Sequence, residues 1–520
     1  MTTLWASSRR RFPGVNRPAL QQVYSHSAIP GPVRPLHPLY PSSYYAVRFR
    51  PYFPFRQDRR QLLTLAIESS CDDTCVAILE RDGAGKARLH FNERISLDNR
   101  AHKGIHPLEA TCSHTTHLAE LTRKALSVLP KVDPATVGKE NNRDAILSID
   151  GDPRLKPDFI SVTRGPGMSS SLVTGLNIAK GLAVAWGVPL LAVNHMQAHA
   201  LTPRLVSALE KKEKEKLNAL NQPSAMEYEE NTQHPQFPFL SLLVSGGHTI
   251  LVNSRSLTEH AILAESDNIA VGDMLDKCAR RILPNEILSV DTELTMFGPL
   301  LEEFAFPGSI VNPKGTIGEG SEENSQYDYE YKPPSRRKEE IAPFDSEFGW
   351  SLTPPLSHMG QGERAASMYN FAGLNGQVQQ IMLSSPNMGI DERRILARAT
   401  MRLVFEHLAT RVLFALKAAK QQDKLKVKTL VLSGGVASNK YLRHVMRAML
   451  NTRGHADVEM IAPPVSLCTD NAAMIAWTGM EMYEAGFRSG LEVPLLRKWP
   501  LDPNAEGGGI LGVPGWYKVA

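Results

Sequence analysis

The chain has 520 residues, 42% apolar and 22% charged, with a formal net charge of +4. That length exceeds what one hydrophobic core serves, so two or more domains are expected. The composition excludes a collagenous, disulfide-rich or wholly disordered chain, and no apolar run nears the roughly 18 residues that cross a bilayer, so no membrane partner is expected.

The charge is unevenly placed. Residues 1–57 hold eight Arg and no Lys, Asp or Glu, which leaves about −4 for the remainder. An Arg-rich, acid-free, Ser-containing leader has the composition of an import presequence. Residues 1–61 are therefore expected to be a disordered presequence directing the chain to the mitochondrial matrix; a basic nucleic-acid arm is the alternative. The five cysteines, Cys71, Cys75, Cys112, Cys278 and Cys468, include no Cys-x2-Cys pair. That fits a reducing compartment and argues against a zinc ribbon.

Ordered structure is expected from Leu62. Leu63 to Glu68 and Cys75 to Glu80 read as the strands of a hairpin with a polar tip, Ser69 to Thr74. His114 to Leu129 reads as a helix stopped by Pro130, and 133–157 as a surface loop. Phe159 to Val162 is a strand entering Gly165-Pro166-Gly167, and Ser170 to Trp186 is a helix apolar on most faces. Residues 201–236 read as a charged connecting segment. Phe237 to Val244 and Thr249 to Val252 form a second hairpin with the tip Ser245-Gly246-Gly247-His248. Asp273 to Leu283 is a helix, and 307–363 reads as a low-complexity insertion. Leu396 to Lys420 is an amphipathic helix. Lys428 to Leu432 is a strand entering Ser433-Gly434-Gly435, with a helix opening near Ser438. Cys468-Thr469-Asp470-Asn471 precedes a last helix to Glu484.

Two arrangements recur: a hairpin with a polar tip, and a strand, a Gly-rich turn and a helix. The fold class is accordingly α/β, with two similar lobes, 62–200 and 237–500, whose four tips line a central cleft. Gly-rich tips with inward amides suit phosphate oxygens. Between these features Pro189 to Val193 reads as a strand and Asn194 as the N-cap of a helix. His195 and His199 stand four apart on that helix, on one face. Two neutral imidazoles at that spacing can chelate a cation, although a lone pair of this kind is more often an ordinary polar face.

The motifs together resemble those of a known family. They are Ile67-Glu68-Ser69-Ser70-Cys71-Asp72-Asp73-Thr74, Gly165-Pro166-Gly167, Asn194-His195-Met196-Gln197-Ala198-His199, Leu243 to Thr249, Ser433 to Asn439, and Cys468 to Asn471. In this order they resemble the tRNA threonylcarbamoyladenosine transferases, within the actin, heat-shock-chaperone and sugar-kinase superfamily; with the leader, the resemblance is to the mitochondrial branch. It implies transfer of a threonylcarbamoyl group from threonylcarbamoyl-AMP to the N6 amine of the adenosine beside the anticodon, in tRNAs reading codons that begin with A. It also implies a homodimer and one divalent metal ion, iron or zinc, on His195, His199 and Asp470. The tip Leu243, Val244, Ser245, Gly246 and Gly247 would lie against the donor, and Asp276, Gly298 and Asn439 against its nucleoside. Three positions depart from the family pattern: Phe297-Gly298-Pro299 keeps one Gly, Gly373-Leu374-Asn375 lacks a Lys, and Asp273 replaces Glu.

The exocyclic amine is a poor nucleophile, so a carboxylate that accepts its proton is expected. Asp72 and Asp73 on the first tip are the candidates, and capping the turn is their bland role. The tip amides at 245–247 would stabilise phosphate charge. Asp470 is expected to come from the opposite lobe, so that lobe closure assembles the site. Arg280, Arg281, Arg443, Arg447 and Arg453 are candidate tRNA phosphate contacts. A metal-dependent glycoprotein endopeptidase would need a glutamate directly after the first ligand, where Met196 and then Gln197 stand, and Gln197 cannot deprotonate water. A small-molecule kinase would have no use for the paired histidines. A non-enzymatic scaffold would tolerate loss of all three ligands.

Overall fold

The computed structural model describes residues 61–97, 106–132, 145–221, 233–266, 268–290, 297–307, 331–359, 363–422 and 427–519. The expected leader lies outside these residues except for Gln61, as does 308–330 of the expected insertion.

The first lobe opens with three antiparallel strands, β1 (Gln61–Glu68), β2 (Asp73–Asp82) and β3 (Ala87–Ser96). Helix α1 (Pro107–Ser127) follows, starting earlier than expected because Pro107 takes the first turn and the His106 side chain accepts from Glu109 N. Strand β4 (Phe159–Gly165), helix α2 (Ser169–Trp186) and strand β5 (Leu190–Asn194) complete a crossover unit, with β4 parallel to both β1 and β5. Helix α2 exposes Val173 and Val184, so it is covered on one side only. Helix α3 (His195–Asn221) then runs well into the segment expected to connect the lobes, and Leu201, Leu205, Val206 and Ala208 on it are buried. Within 133–157 the described part holds a short hairpin, Ile146–Ile149 with Asp152–Leu155, where a loop was expected.

The second lobe repeats this order. Strands β6 (Phe239–Val244), β7 (Thr249–Ser254) and β8 (His260–Ser266) are antiparallel; β8 was missed in the sequence. Helices α4 (Val271–Ile282) and α5 (Gly298–Ala305), the short edge strand β9 (Met368–Tyr369) and helix α6 (Ile390–Gln422) come next. Then follow β10 (Thr429–Ser433), helix α7 (Lys440–Thr452) and β11 (Glu459–Ile461), with β10 parallel to both β6 and β11. The spatial order 3-2-1-4-5 of sheet one returns as 8-7-6-10-11 in sheet two. The duplicated two-lobed α/β layout expected from the sequence is present.

The last elements correct the expected boundary at 500. Helix α8 (Ala472–Glu484) leads into β12 (Phe487–Ser489) and β13 (Trp516–Lys518), which extend sheet one beside β5. The C-terminal segment thus returns to the first lobe.

Period-two alternation assigns the faces. On β1, Leu63, Leu65 and Ile67 join a core with α1 and α2, while Ala66 faces the other way. On β6, Leu240, Leu242 and Val244 pack outward with α4, α6 and α7, while Phe239 and Leu243 face inward. The inward face of sheet one meets α8 and α3 and that of sheet two meets α3, giving five layers: helices, sheet one, α8 with α3, sheet two, helices. Each buried Leu or Phe of that middle layer contributes roughly 1.5–3 kcal/mol.

Two expectations fail on packing. Helix α6 is buried on every side from Leu403 to Leu413, polar residues included, so it is a central helix and not an amphipathic one. Residues 331–359 are anchored on the core and are not a loose insertion. Tyr331 donates to Glu406 at 3.0 Å, Glu340 pairs with Arg337 at 3.0 Å and with Arg453, and Leu352 is fully buried. A few apolar anchors and ion pairs hold this polar segment, a pattern without periodicity in the sequence.

Candidate metal centre

The middle layer carries the site. Asn194 ends β5 and caps α3, its side-chain oxygen accepting from Met196 N at 2.9 Å and Gln197 N at 3.1 Å. His195 and His199 therefore leave the first turns of α3 on one face, with rings edge-on at a centroid distance of 4.6 Å. Pro203, four residues beyond His199, has no N–H to offer the His199 carbonyl. Asp470 precedes Asn471, which caps α8 by accepting from Met474 N at 3.0 Å and donates to Thr469 O at 2.8 Å. Those bonds fix the turn so that Asp470 faces the two imidazoles.

The three ligand atoms form a small triangle. His195 Nε2 and His199 Nε2 are 3.2 Å apart, His199 Nε2 and Asp470 Oδ1 3.0 Å, and His195 Nε2 and Asp470 Oδ1 3.5 Å. Bonds of about 2.1 Å to one ion place neighbouring ligand atoms roughly 3.0–3.4 Å apart in octahedral or tetrahedral geometry. The triangle has the dimensions of one face of such a shell. Among the described residues this is the cluster whose donors could hold a metal ion.

Glu68, at the end of β1, is the residue that sequence reasoning missed. It is 1% exposed, and its Oε2 lies 3.2 Å from His195 Nδ1. Its other contacts are Ser70 N, donating to Oε1 at 2.6 Å, and the Thr163 hydroxyl. A carboxylate there makes Nδ1 the protonated nitrogen and leaves the Nε2 lone pair toward the triangle. Burial opposes charge on His195, but Glu68 and Asp470 outweigh it and raise its pKa to about 9 with no ion bound, so a cation would take the place of the Nε2 proton. Burial likewise raises both carboxyls, and the facing histidines more than reverse it, so Glu68 and Asp470 sit below the usual carboxylate range. A glutamate at the buried end of a strand needs a partner, but the strand's residues do not say which one.

Asp470 stands in the turn that joins β11 of sheet two to α8. Helix α8 lies in the middle layer, and Arg204 of α3 is bonded to Glu481 of α8 at 2.8 Å in a buried pair. The helix that bears the two imidazoles and the helix that follows Asp470 are thus tied directly to each other. Gln197 turns away to donate to Leu257 O at 2.8 Å, so it neither ligates nor acts as a base.

The other expected residues are distributed as follows. Asp73 starts β2, 3.7 Å from Arg94, and burial raises its carboxyl to about 6 against the pull of Ser96 and Arg94. Asp72 bonds with the Cys71 thiol. His114 holds this tip from α1, with Nδ1 2.7 Å from the Thr74 hydroxyl and Nε2 3.0 Å from Cys71 O. In the second tip, Ser245 N donates to His248 O at 2.8 Å and Gly247 N donates to Ser245 Oγ at 3.3 Å. Two of the three amides at 245–247 are thus used inside the turn, and Gly246 N is the one it leaves. A Cβ built at Gly246 or Gly247 meets nothing within 4 Å, so open space lies over the tip.

Asp276, Gly298 and Asn439 form one connected set. Asp276 Oδ1 accepts from Phe297 N at 2.9 Å and Gly298 N at 2.8 Å, which starts α5. Glu302 of α5 in turn accepts from Tyr441 N at 2.9 Å, while Asn439 Oδ1 caps α7 at Leu442 N at 2.8 Å. The arginines expected at tRNA are bound to the protein: Arg281, Arg443 and Arg447 donate to backbone oxygens, Arg453 pairs with Glu340, and Arg280 lies over Phe297.

Comparison with known proteins bears on the activity. Residues 152–214 and 207–477 match the family "TsaD: tRNA N6-adenosine threonylcarbamoyltransferase". A mitochondrial tRNA N6-adenosine threonylcarbamoyltransferase of Schizosaccharomyces pombe is 33% identical over 88% of this chain and 89% of its own. A Brucella anthropi enzyme of the same description is 30% identical over 85% of this chain and 96% of its own. The crystal structure of T. kodakarensis HypF superposes with a TM-score of 0.37 at 13% identity, covering 82% of this chain and 48% of that one, too distant to inform function. The chain therefore belongs to the tRNA N6-adenosine threonylcarbamoyltransferase family and is an acyltransferase acting on tRNA.

Proposed function

We propose that His195, His199 and Asp470 hold one divalent cation, iron or zinc, and that threonylcarbamoyl-AMP binds between it and the second-lobe tip. The observation carrying this reading is the triangle of 3.0, 3.2 and 3.5 Å backed by Glu68. Two imidazoles and one carboxylate leave coordination positions open, as a catalytic site needs. The bound ion supplies Lewis-acid polarisation of donor oxygens.

The chain's own groups do the rest. Gly246 N and the open space over Gly246 and Gly247 receive the phosphate, while Leu243 and Val244 shape the strand end beneath it. Asp276 and Asn439 have each committed one oxygen to a helix start, so Asp276 Oδ2 and the Asn439 amide nitrogen are left for ribose and base, with Gly298 beside them. The adenosine N6 attacks the threonylcarbamoyl carbonyl carbon, and the bond from that carbon to the phosphate oxygen breaks as AMP leaves. Asp72 or Asp73 takes the N6 proton; Asp73, raised to about 6, is ionised at neutral pH yet basic enough to accept it.

Metal analysis of purified wild type, His199→Ala and Asp470→Ala tests the ion. About one ion per chain in wild type and a loss of at least about 10-fold in both variants are expected. Equal metal content in all three would overturn the assignment.

The mitochondrial description of the Schizosaccharomyces pombe relative, together with the Arg-rich leader, supports import into the mitochondrial matrix and action on mitochondrial tRNAs that read codons beginning with A. The homodimer belongs to the same reading and is measured by light scattering.

A further inference from the structure

The segment between β12 and β13 runs across the ends of β4 and β5, where α3 begins. Leu496 N donates to Arg164 O at 2.8 Å, Gly167 N donates to Arg497 O at 3.3 Å, and the Asn194 side-chain amide donates to Trp499 O at 3.3 Å. A Cβ at Gly165 would overlap Leu496 O, so this backbone lies directly on the Gly-rich turn. Two buried side chains pin it: Arg164 donates to Pro494 O at 2.8 Å and to Pro514 O at 2.9 Å, and Trp499 donates to Gly509 O at 3.1 Å. Between these anchors Arg497 and Lys498 are exposed, and neither side chain has an ion-pair or hydrogen-bond partner among the described residues.

A short chain of contacts leads from this pair to the site. Gly167, bonded to Arg497, precedes Met168, whose N donates to Ser70 O at 2.8 Å, and Ser70 Oγ lies 3.3 Å from His195 Nδ1. Sheet order likewise sets β4 and its turn next to β1, whose hairpin tip carries Asp72 and Asp73. Those acids repel an RNA backbone at the place where the acceptor adenosine enters, so positive charge is needed close by. On the second lobe, Arg281, Arg443, Arg447 and Arg453 are engaged inside the protein. Arg497 and Lys498 supply that charge from a backbone that is already fixed, which spares the cost of ordering it on binding.

We propose that Arg497 and Lys498 contact backbone phosphates of the tRNA anticodon loop beside the adenosine that is modified. Phosphate contacts position a nucleic acid without reading its sequence, so this pair seats the loop over the first-lobe tip and leaves the choice of base to the cleft. Placing the adenosine at this tip rests on the metal-centre reading above, whereas the contact to RNA is measured independently of it.

Fluorescence anisotropy of a labelled, unmodified tRNA that reads codons beginning with A, titrated with the full chain at salt concentrations from about 50 to 200 mM, tests this. Arg497→Ala/Lys498→Ala is expected to bind roughly 10-fold more weakly at the lowest salt. The slope of log affinity against log salt should fall by about 1.4, which is two single-strand contacts. In turnover the same variant should raise KM for tRNA by a like factor, with kcat and KM for threonylcarbamoyl-AMP unchanged. Lys428→Ala removes an exposed cation just before β10, at the end of sheet two away from the tips, and should match wild type. Arg497→Gln/Lys498→Gln keeps the aliphatic stems and takes over if melting shows the alanine pair unfolded. Wild-type affinity and salt slope in a folded double variant, or an equal loss in Lys428→Ala, would overturn the proposal. Metal content measured on the same preparations reports a failed metal assignment separately and leaves the RNA result standing.

Discussion

Glu68 sets what His195 can do. By accepting from Nδ1 at 3.2 Å it fixes the ring and its tautomer, and so aims the Nε2 lone pair at Asp470 and His199. Glutamine can still accept there but brings no charge to strengthen the imidazole as a ligand. Glu68→Gln is expected to lower metal affinity by roughly 10–100-fold with the fold intact, read by chelator competition; wild-type affinity would reduce Glu68 to a packing role. His195 and His199 were legible because helical spacing alone puts them on one face, and Asp470 only through the family resemblance. Glu68 was not, because its strand announces itself by apolar residues and says nothing about the residue that ends it.

Tips and turns are held by close backbone approach. Gly434 has φ +94°, and a Cβ there would stand 2.3 Å from Val244 O; in the first lobe, one at Gly167 would stand 2.6 Å from Ser70 O. Each Gly-rich turn thus packs on the hairpin tip of its own lobe, the structural content of the repeat seen in the sequence. Gly434→Ala combines backbone strain with a collision, about 1–3 kcal/mol, and moves the tip at 245–247. Both a lower Tm and an activity reduced more than stability explains are expected in parallel melting and turnover measurements.

A second element-scale consequence concerns pH. Burial raises Glu302 to about 7 despite the backbone donors of Tyr441 and Lys440. The folded state therefore binds this proton more tightly than the unfolded one, whose value is near 4.5, and stability from this group falls as pH climbs between the two. Glu302→Gln keeps an acceptor for Tyr441 N and removes the ionisation. Its Tm advantage over wild type should grow from about pH 4.5 and level off above about pH 7; a pH-independent difference would contradict the assignment.

At the scale of the molecule, two sheets of like topology flank one middle layer, with His195 and His199 in the first turns of α3 and Asp470 just before α8. The repeated hairpins and turns made the two lobes legible. The return of the chain after Asp470 was not, because α8 reads as a generic Ala- and Met-rich helix and only its packing on sheet one and α3 shows where it belongs. With α3 and α8 tied by Arg204 and Glu481, the three side chains already converge, and under the proposed function Gly246, Asp276 and Asn439 of the second lobe present the donor. The most direct test is to quantify threonylcarbamoyladenosine in tRNA incubated with threonylcarbamoyl-AMP and the purified chain, before chelation, after it, and after metal is restored. Formation of the modified base, its loss on chelation and its return on reloading in wild type, with no return in His199→Ala or Asp470→Ala, is the predicted result. Undiminished modification by the chelated enzyme or by both variants would contradict the account.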